Sequence, residues 1–413
     1  MTHLTRYDIL SRTQYAFRPH SNTTITTQTI LNHIQNLKGP GRYVLALFVD
    51  LSKAYDTIDH ETLIHKLRNN INFSDNTTTF FKSYLTRRHQ TVFTQYAQSY
   101  PRRITHGIPQ GSTLSTTLFI LYINDILLSL THGKVFAYAD DTTLIIAAEN
   151  KEQLQEQAQT DINNLVRYFH RHNLVPNPTK TTYTIFHKHE QKMQLDLTID
   201  GKKLQQERKV KVLGTIMQSN LSFREHIQSI VLRLQPFVQM FRYVNSLLPT
   251  HILLQLYYAH VYPLLIYGIS IWGSDKHNTI IHPLIIIQKR IIRLICLKSW
   301  RTPTKPLFAK LRLLNIPNMY KYSVCMDAHS LIYPAFKAFL PLHYNNIQPI
   351  TAIHNYNTRQ SSEKHMYNDS KTGQYSRAAQ AQWNKLPAYL RDISYKAEFK
   401  IALKAYLLHL QQS

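Results

Sequence analysis

Asp140 and Asp141 stand side by side inside "FAYADDTTLII" (136–146), an apolar run otherwise patterned as β-strand, and they restrict the fold more than any other feature of the chain. Two adjacent carboxylates repel each other and are costly to desolvate, so they must face either open water or a cation. Water at a hairpin tip is the plain alternative, since Asp is a common turn residue. The flanking "VFAY" and "TTLIIAA" predict two paired strands joined at the acids. A third carboxylate, Asp50, ends the continuous apolar run "YVLALFV" (43–49), which predicts a strand buried on both faces. If these strands are neighbours, Asp50, Asp140 and Asp141 meet at one edge of a sheet. Such a cluster suits Mg²⁺, which takes oxygen ligands from one or two carboxylates, water and substrate phosphates. Two such ions about 3.5–4 Å apart serve an in-line displacement, one lowering the pKa of an attacking hydroxyl and the other stabilising the leaving group. The competing reading makes all three acids turn and cap residues.

Around these strands the pattern is helical. Leu63, Ile64 and Leu67 of "HETLIHKL" (60–67) share one helix face, with Asp59 as N-cap. Apolar residues recur at helical spacing from Leu114 to Leu128, and residues 152–170 predict a polar helix with Leu154, Ile162 and Leu165 on one side. The first half therefore reads as α+β, with helices laid against a small sheet. From about 221 to 340 the chain turns helical, residues 350–376 read as a polar linker, and two short amphipathic helices separated by Pro387 form a small C-terminal module. The most apolar tract, 252–272, is broken by Gln255, His260, Pro263 and Gly268, and reads as buried helix rather than a membrane span.

Charge narrows the partner. Lys and Arg number 48 against 24 Asp and Glu, a formal excess of +24 that attracts polyanions, nucleic acid ahead of a membrane surface. Cys296 and Cys325 are the only cysteines, which excludes a disulfide framework and a Cys-rich zinc module and points to a reducing, intracellular setting. No HExxH pattern occurs among the 22 His, and the N-terminus lacks the apolar core of a signal peptide.

Two further segments carry candidate chemistry. Tyr55, five residues beyond Asp50 in "DLSKAYD", presents a ring suited to lie beneath a nucleotide sugar and clash with a 2′-hydroxyl, or else one packed in the core. In "HGIPQGSTLS" (106–115), Gly107, Pro109 and Gly111 shape a loop opening into a helix, whose N-terminus favours anions while Gly111 leaves room for close backbone approach. Paired basic residues, Arg87 with Arg88, Arg102 with Arg103 and Lys202 with Lys203, read either as solvated faces or as contacts to nucleic-acid phosphates.

Taken in order, "ALFVDLSKAYDTID", "HGIPQGSTLS", "FAYADDTTLII", "NPTKT" (177–181) and "KVLGTIM" (211–217) resemble the successive motifs of reverse transcriptases. The resemblance is close to the animal non-LTR (LINE-type) retrotransposon branch of the Jockey and CR1 kind. It extends to "QYAFRPHSNTT" (14–24), similar to the family's GFRPG segment with Ala16 in place of Gly, and to "WNKLP" and "FKIALKAYLL" in the tail.

The resemblance implies a right-hand polymerase: partial fingers over 1–42, a palm over 43–220 with a finger insertion at about 70–105, a helical thumb and connection over 221–345, and a linker with a C-terminal helical module over 346–413. It implies that Asp50, Asp140 and Asp141 bind two Mg²⁺ ions, with Mn²⁺ as a substitute, and that Tyr55 is the gate against ribonucleotides. Gln110 and Gly111 contact the incoming nucleotide and template, and Leu51, Pro109 and Arg18 fall in the same contact set. Lys180 matches a lysine that acts as general acid near the pyrophosphate, or is a solvated turn residue; Asp56 and Asp59 read as caps that orient the following helix. The implied partners are an RNA template, a DNA primer and deoxynucleoside triphosphates, with no membrane, and the implied compartments are nucleus and cytoplasm.

The pattern departs from the family where the chain opens only a few residues before "QYAFRP", without the basic finger strands expected there, and where Gln218 replaces an Asp. An N-terminally truncated copy, with no recognisable endonuclease or RNase H domain, is the expectation. RNA-directed DNA polymerase is the leading function; a catalytically silent nucleic-acid-binding relic and a group II intron maturase-like protein are the alternatives.

Overall fold

The computed structural model describes residues 4, 7, 9–18, 21–39, 41–186, 193–274, 278–333, 347–349, 366–368 and 374–412. These form two compact units, one of Met1–Asn22 with Leu37–Arg208 and one of Thr23–Asn36 with Lys209–Ser413. Helix α1 (Thr23–Leu37) belongs with the second unit and is described there.

The first unit is built on β1 (Tyr43–Val49), as its unbroken apolar run demands. Helices α2 (His60–His65), α3 (Asp75–Leu85) and α4 (Thr113–Tyr122) follow, then the hairpin of β2 (Lys134–Tyr138) and β3 (Asp141–Ala148), helix α5 (Lys151–Arg171) and strands β4 (Thr182–Phe186) and β5 (Gln205–Gln206). The sheet order is β5-β4-β1-β3-β2, antiparallel except for the edge pair β5 and β4. β1 is central, hydrogen-bonded on both sides and buried from Val44 to Leu47, which is why it carries no polar alternation. Its core partners include Leu118 and Phe119 of α4 and Leu154, Ile162, Leu165 and Phe169 of α5, all almost fully buried. The α+β expectation holds in this unit.

Local signals act where the residues place them. Asp59 caps α2 by accepting from the Thr62 amide at 2.7 Å, and Leu63 and Leu67 are buried as their spacing requires. Asp161, fully buried on α5, accepts from the amides of Thr131 (2.8 Å), His132 (3.1 Å) and Gly133 (2.6 Å), fixing the turn that launches β2. The helix seen at Leu114–Leu128 stops at Tyr122 and resumes as a 3₁₀ turn, Ile126–Ser129.

Beyond α1, the second unit holds an antiparallel hairpin, Lys209–Val212 against Thr215–Gln218, and is mainly helical: α6 (Arg224–Val244), α7 (Asn278–Ile295), α8 (Ile316–Ile332), α9 (Gln374–Asn384) and α10 (Lys396–Gln412). The tract 252–272 is a broken helix: Thr250–Leu256, a wider π-type turn Tyr257–Val261, then Tyr262–Ile266 and Ile269–Trp272, with Gly268 left-handed at φ +63. No described helix is long and apolar enough to cross a membrane.

The compact units do not follow the sequence boundaries at 42 and 220. α1 buries Ile30, Leu31 and Ile34, its Gln28 Nε2 donates to Ser270 Oγ at 2.8 Å, and Thr23 Oγ1 accepts from Tyr267 at 2.9 Å, so it packs with residues far along the chain rather than with its neighbours. Most of the linker expected at 350–376 lies outside the described residues; its described parts are Met366–Asn368, paired with Ile347–Pro349 just before it, and the start of α9. Beyond it Pro387 separates α9 from the turn Ala388–Arg391 and α10, as the tail pattern predicts.

Candidate active site

The three aspartates gather at one end of the central sheet. Val49, the last residue of β1, faces Thr142 of β3, and one step further along that register lie Asp50 and Asp141. Asp140 sits in the two-residue turn that closes β2 onto β3, where Tyr138 pairs with Asp141. Ala139, the other turn residue, is left-handed at φ +55, a conformation that an L side chain adopts at a cost and that concentrates at functional turns.

Charge at this edge is left unbalanced. Partial burial pushes the Asp141 carboxyl above the ordinary range, and the charges of Asp140 and then Asp50 push it further in the same direction. Lys180 Nζ lies 3.9 Å from Asp50 Oδ2, the one described cation paired with any of the three acids. It arrives there because the turn 177–181 grips the Asp50 backbone: the Asn177 amide donates to the Asp50 carbonyl at 2.8 Å and the Asp50 amide to Thr181 Oγ1 at 3.3 Å. Uncompensated carboxylates of hard-oxygen character fit a divalent cation such as Mg²⁺. As the side chains stand, no group of three or more His, Cys, Asp or Glu among the described residues is arranged to hold a metal ion.

Tyr55 is packed on one side only. Its ring stacks on Phe119 with centroids 4.5 Å apart and planes at 16°, which holds it rigid while leaving it half-buried. Burial and then the charge of Asp140 push its phenol up to about 12, so it stays neutral beside the acids. Leu51 is buried and contributes backbone, paired with Pro176.

The "HGIPQG" loop is fastened to the loop after Asp50. The Gly107 amide donates to the Ile58 carbonyl at 2.7 Å, the Ile108 amide to the Tyr55 carbonyl at 2.9 Å, and His60 Nε2 lies 2.6 Å from the Gly107 carbonyl. Gln110 is tied to Asp56, its Nε2 donating to Oδ1 at 2.9 Å, so Asp56 orients Gln110 and not the helix it was expected to cap. Gly111 has φ +82 with open space where a Cβ would stand, and Ser112 caps α4. Pro109 is half-buried between them. Arg18 is turned elsewhere: its guanidinium donates to the carbonyls of Ser11 (2.7 Å) and Gln14 (3.2 Å), closing the loop that contains "QYAFRP".

Gln14 escapes sequence reading. Its buried Oε1 accepts from the amides of Ala16 (3.0 Å) and Ala139 (3.3 Å), while Tyr15 and Ala137 exchange backbone bonds with β2 and Thr13, docking segment 13–16 beside the strained turn. The signal was the neighbouring family segment, in which Ala16 is fully buried.

Comparison with known proteins identifies the family. The family of reverse transcriptases (RNA-dependent DNA polymerases) matches residues 1–217. The chain is 27% identical over 304 residues to a probable RNA-directed DNA polymerase from transposon BS of Drosophila melanogaster, covering 71% of this chain and 33% of that protein. It is 24% identical over 334 residues to the RNA-directed DNA polymerase from mobile element jockey of Drosophila funebris, covering 76% and 36%. It thus spans about a third of the length of these curated relatives. Among solved structures, apo telomerase from Candida tropicalis aligns with a TM-score of 0.42 at 14% identity, over 75% of this chain and 51% of that one. Because the family match spans 217 of the 413 residues, the chain belongs to the reverse transcriptase (RNA-dependent DNA polymerase) family.

Proposed function

We propose that this chain carries the polymerase core of a non-LTR retrotransposon and catalyses RNA-directed DNA synthesis, in which a primer 3′-hydroxyl attacks the α-phosphate of a deoxynucleoside triphosphate on an RNA template. The observation that supports this reading most is the meeting of Asp50, Asp140 and Asp141 at one sheet edge, with Asp141 pushed up by the other two. Two Mg²⁺ ions, when bound there, would activate the attacking hydroxyl and neutralise the leaving pyrophosphate. The chain's own residues do the rest. Asp50, Asp140 and Asp141 supply the ligand oxygens, and Lys180 protonates the leaving group, a role supported by its nearness to Asp50. Tyr55, braced on Phe119, blocks a 2′-hydroxyl, and Gln110, anchored by Asp56, meets the nucleotide and template with Gly111.

In this reading residues 1–42, 43–220, 221–345 and 346–413 correspond to partial fingers, palm, thumb with connection, and C-terminal module of a right-hand polymerase working inside the cell, in nucleus and cytoplasm. The test is primer extension on an RNA template with deoxynucleotides and Mg²⁺, comparing the chain with Asp140→Asn/Asp141→Asn. Synthesis abolished by the substitutions, with template binding retained, is the expected result. Template binding without synthesis by either protein overturns it in favour of a silent nucleic-acid binder.

A further inference from the structure

Residues 88–104 form an antiparallel hairpin that projects apolar rings into solvent. His89–Gln90 pairs with Arg102–Arg103, and the Arg88 carbonyl accepts from Ile104 at 2.9 Å. Phe93 bridges Gln98, and the tip closes with the Thr94 amide donating to the Ala97 carbonyl at 2.8 Å. Phe93, Tyr96 and Tyr100 are 71%, 89% and 91% exposed, with Val92 beside them. Nothing in the hairpin's own folding needs these rings: its bonds are backbone and hydroxyl bonds, including the Val92 amide to Ser99 Oγ at 3.0 Å and the Ala97 amide to Thr94 Oγ1 at 3.0 Å. Three neighbouring exposed aromatics on a short hairpin mark a binding surface.

Charge identifies the partner. Residues 76–124 contain no Asp or Glu, while Lys82, Arg87, Arg88, Arg102 and Arg103 lie on or at the foot of the hairpin. All five are exposed, and none pairs with a described carboxylate. Arg88 lies over the Tyr84 ring at 5.4 Å, and the other three arginines have no such neighbour among the described residues. Aromatic faces in an acid-free, cationic frame are what unpaired nucleic acid binds: bases stack on rings without regard to sequence, and phosphates seek the guanidinium groups. A duplex hides its base faces and would leave the rings unused.

We propose that the hairpin is a stacking platform for single-stranded RNA, with Phe93, Tyr96 and Tyr100 taking base faces and Arg87, Arg102 and Arg103 the phosphates. Identifying that strand as the unpaired template rests on the polymerase reading; binding itself does not. The test is fluorescence anisotropy with a labelled single-stranded RNA oligonucleotide and with a blunt duplex, over a range of salt, in the Asp140→Asn/Asp141→Asn background so that synthesis plays no part. Phe93→Ala/Tyr96→Ala/Tyr100→Ala should weaken single-strand binding about tenfold or more, leave duplex binding within about twofold and keep the salt slope. Arg102→Ala/Arg103→Ala should flatten the single-strand slope by roughly 1.4. Tyr96→Ala alone, at the tip, should show a partial loss, and Tyr96→Phe none. Unchanged single-strand affinity in the triple variant, equal losses for both nucleic acids, or a change confined to self-association in sedimentation would each overturn the proposal. Failure of primer extension with these binding differences intact would count against the polymerase reading alone.

Discussion

Gly107→Ala should separate the two loops that carry the candidate site, at a cost set by the Asp56 backbone beside it. A Cβ at Gly107 would stand 2.8 Å from the Asp56 carbonyl oxygen, 2.9 Å from the Asp56 Cα and 3.1 Å from its carbonyl carbon. Carbon contacts normally sit at about 3.5–4.0 Å, so backbone must move. It cannot move freely, because the Gly107–Ile58 and Ile108–Tyr55 bonds hold the same two segments together at 2.7 and 2.9 Å. The left-handed φ of +84 adds about 1–2 kcal/mol for any L side chain, and overpacking adds about 1–3 kcal/mol, a loss of about 2–5 kcal/mol. Gly111→Ala is the matched control, with φ +82 and nothing within 4 Å of its added Cβ, so it should lose only the backbone share, about 1–2 kcal/mol. Urea unfolding of both variants measures the difference. In primer extension the pattern should split, with Gly107→Ala raising the KM for deoxynucleotide as Tyr55 shifts and Gly111→Ala impairing synthesis despite near-normal stability. Equal stability of the two variants would refute the argument that the Asp56 backbone is what excludes a side chain at 107.

Two other perturbations probe the supporting structure. Lys66 is buried, with Nζ 2.6 Å from both Asp125 Oδ1 and the Tyr122 carbonyl and 5.2–5.3 Å from the centres of the Tyr122 and Tyr168 rings. Lys66→Met should cost about 2–4 kcal/mol by stranding partly buried Asp125, and adding Asp125→Leu should recover part of it; a loss below about 0.5 kcal/mol in the single variant would contradict the pairing. His226 is buried against Trp272 and pushed down to about 4 by burial, with Arg233 nearby acting in the same direction. Between pH 6.5 and about 4 the unfolded chain binds a proton that the folded chain refuses, so this contribution is whole above 6.5 and is lost as pH falls, up to about 3 kcal/mol. Thermal unfolding from pH 7 to pH 4.5 should show a steeper decline for the native chain than for His226→Gln, and parallel curves would disprove it.

Much of the framework is legible in the sequence. The apolar run 43–49 encodes a strand covered on both faces, the two runs flanking Asp140 and Asp141 encode a hairpin, and Leu154, Ile162 and Leu165 encode the buried side of α5. These are statements about burial, and burial leaves a period of 2 or 3.6 in the sequence. Asp59 as cap was legible because an N-cap contacts an amide three residues away. What remained hidden is the set of contacts between distant loops. Asp56 and Asp59 look alike in "YDTID", yet only the arrival of Gln110, 54 residues on, sets Asp56 to a different task. Gln14 supports Ala139 across 125 residues, and Thr181 receives the Asp50 amide across 131. The same holds for α1, buried all round from Thr26 to Asn32, whose sequence does not name the residues that bury it. A single polar atom meeting one distant backbone group has no repeat to announce it. Sequence periodicity determined which elements form and which faces they hide, and the closed chain alone decided which loop atoms lie within 3 Å of one another.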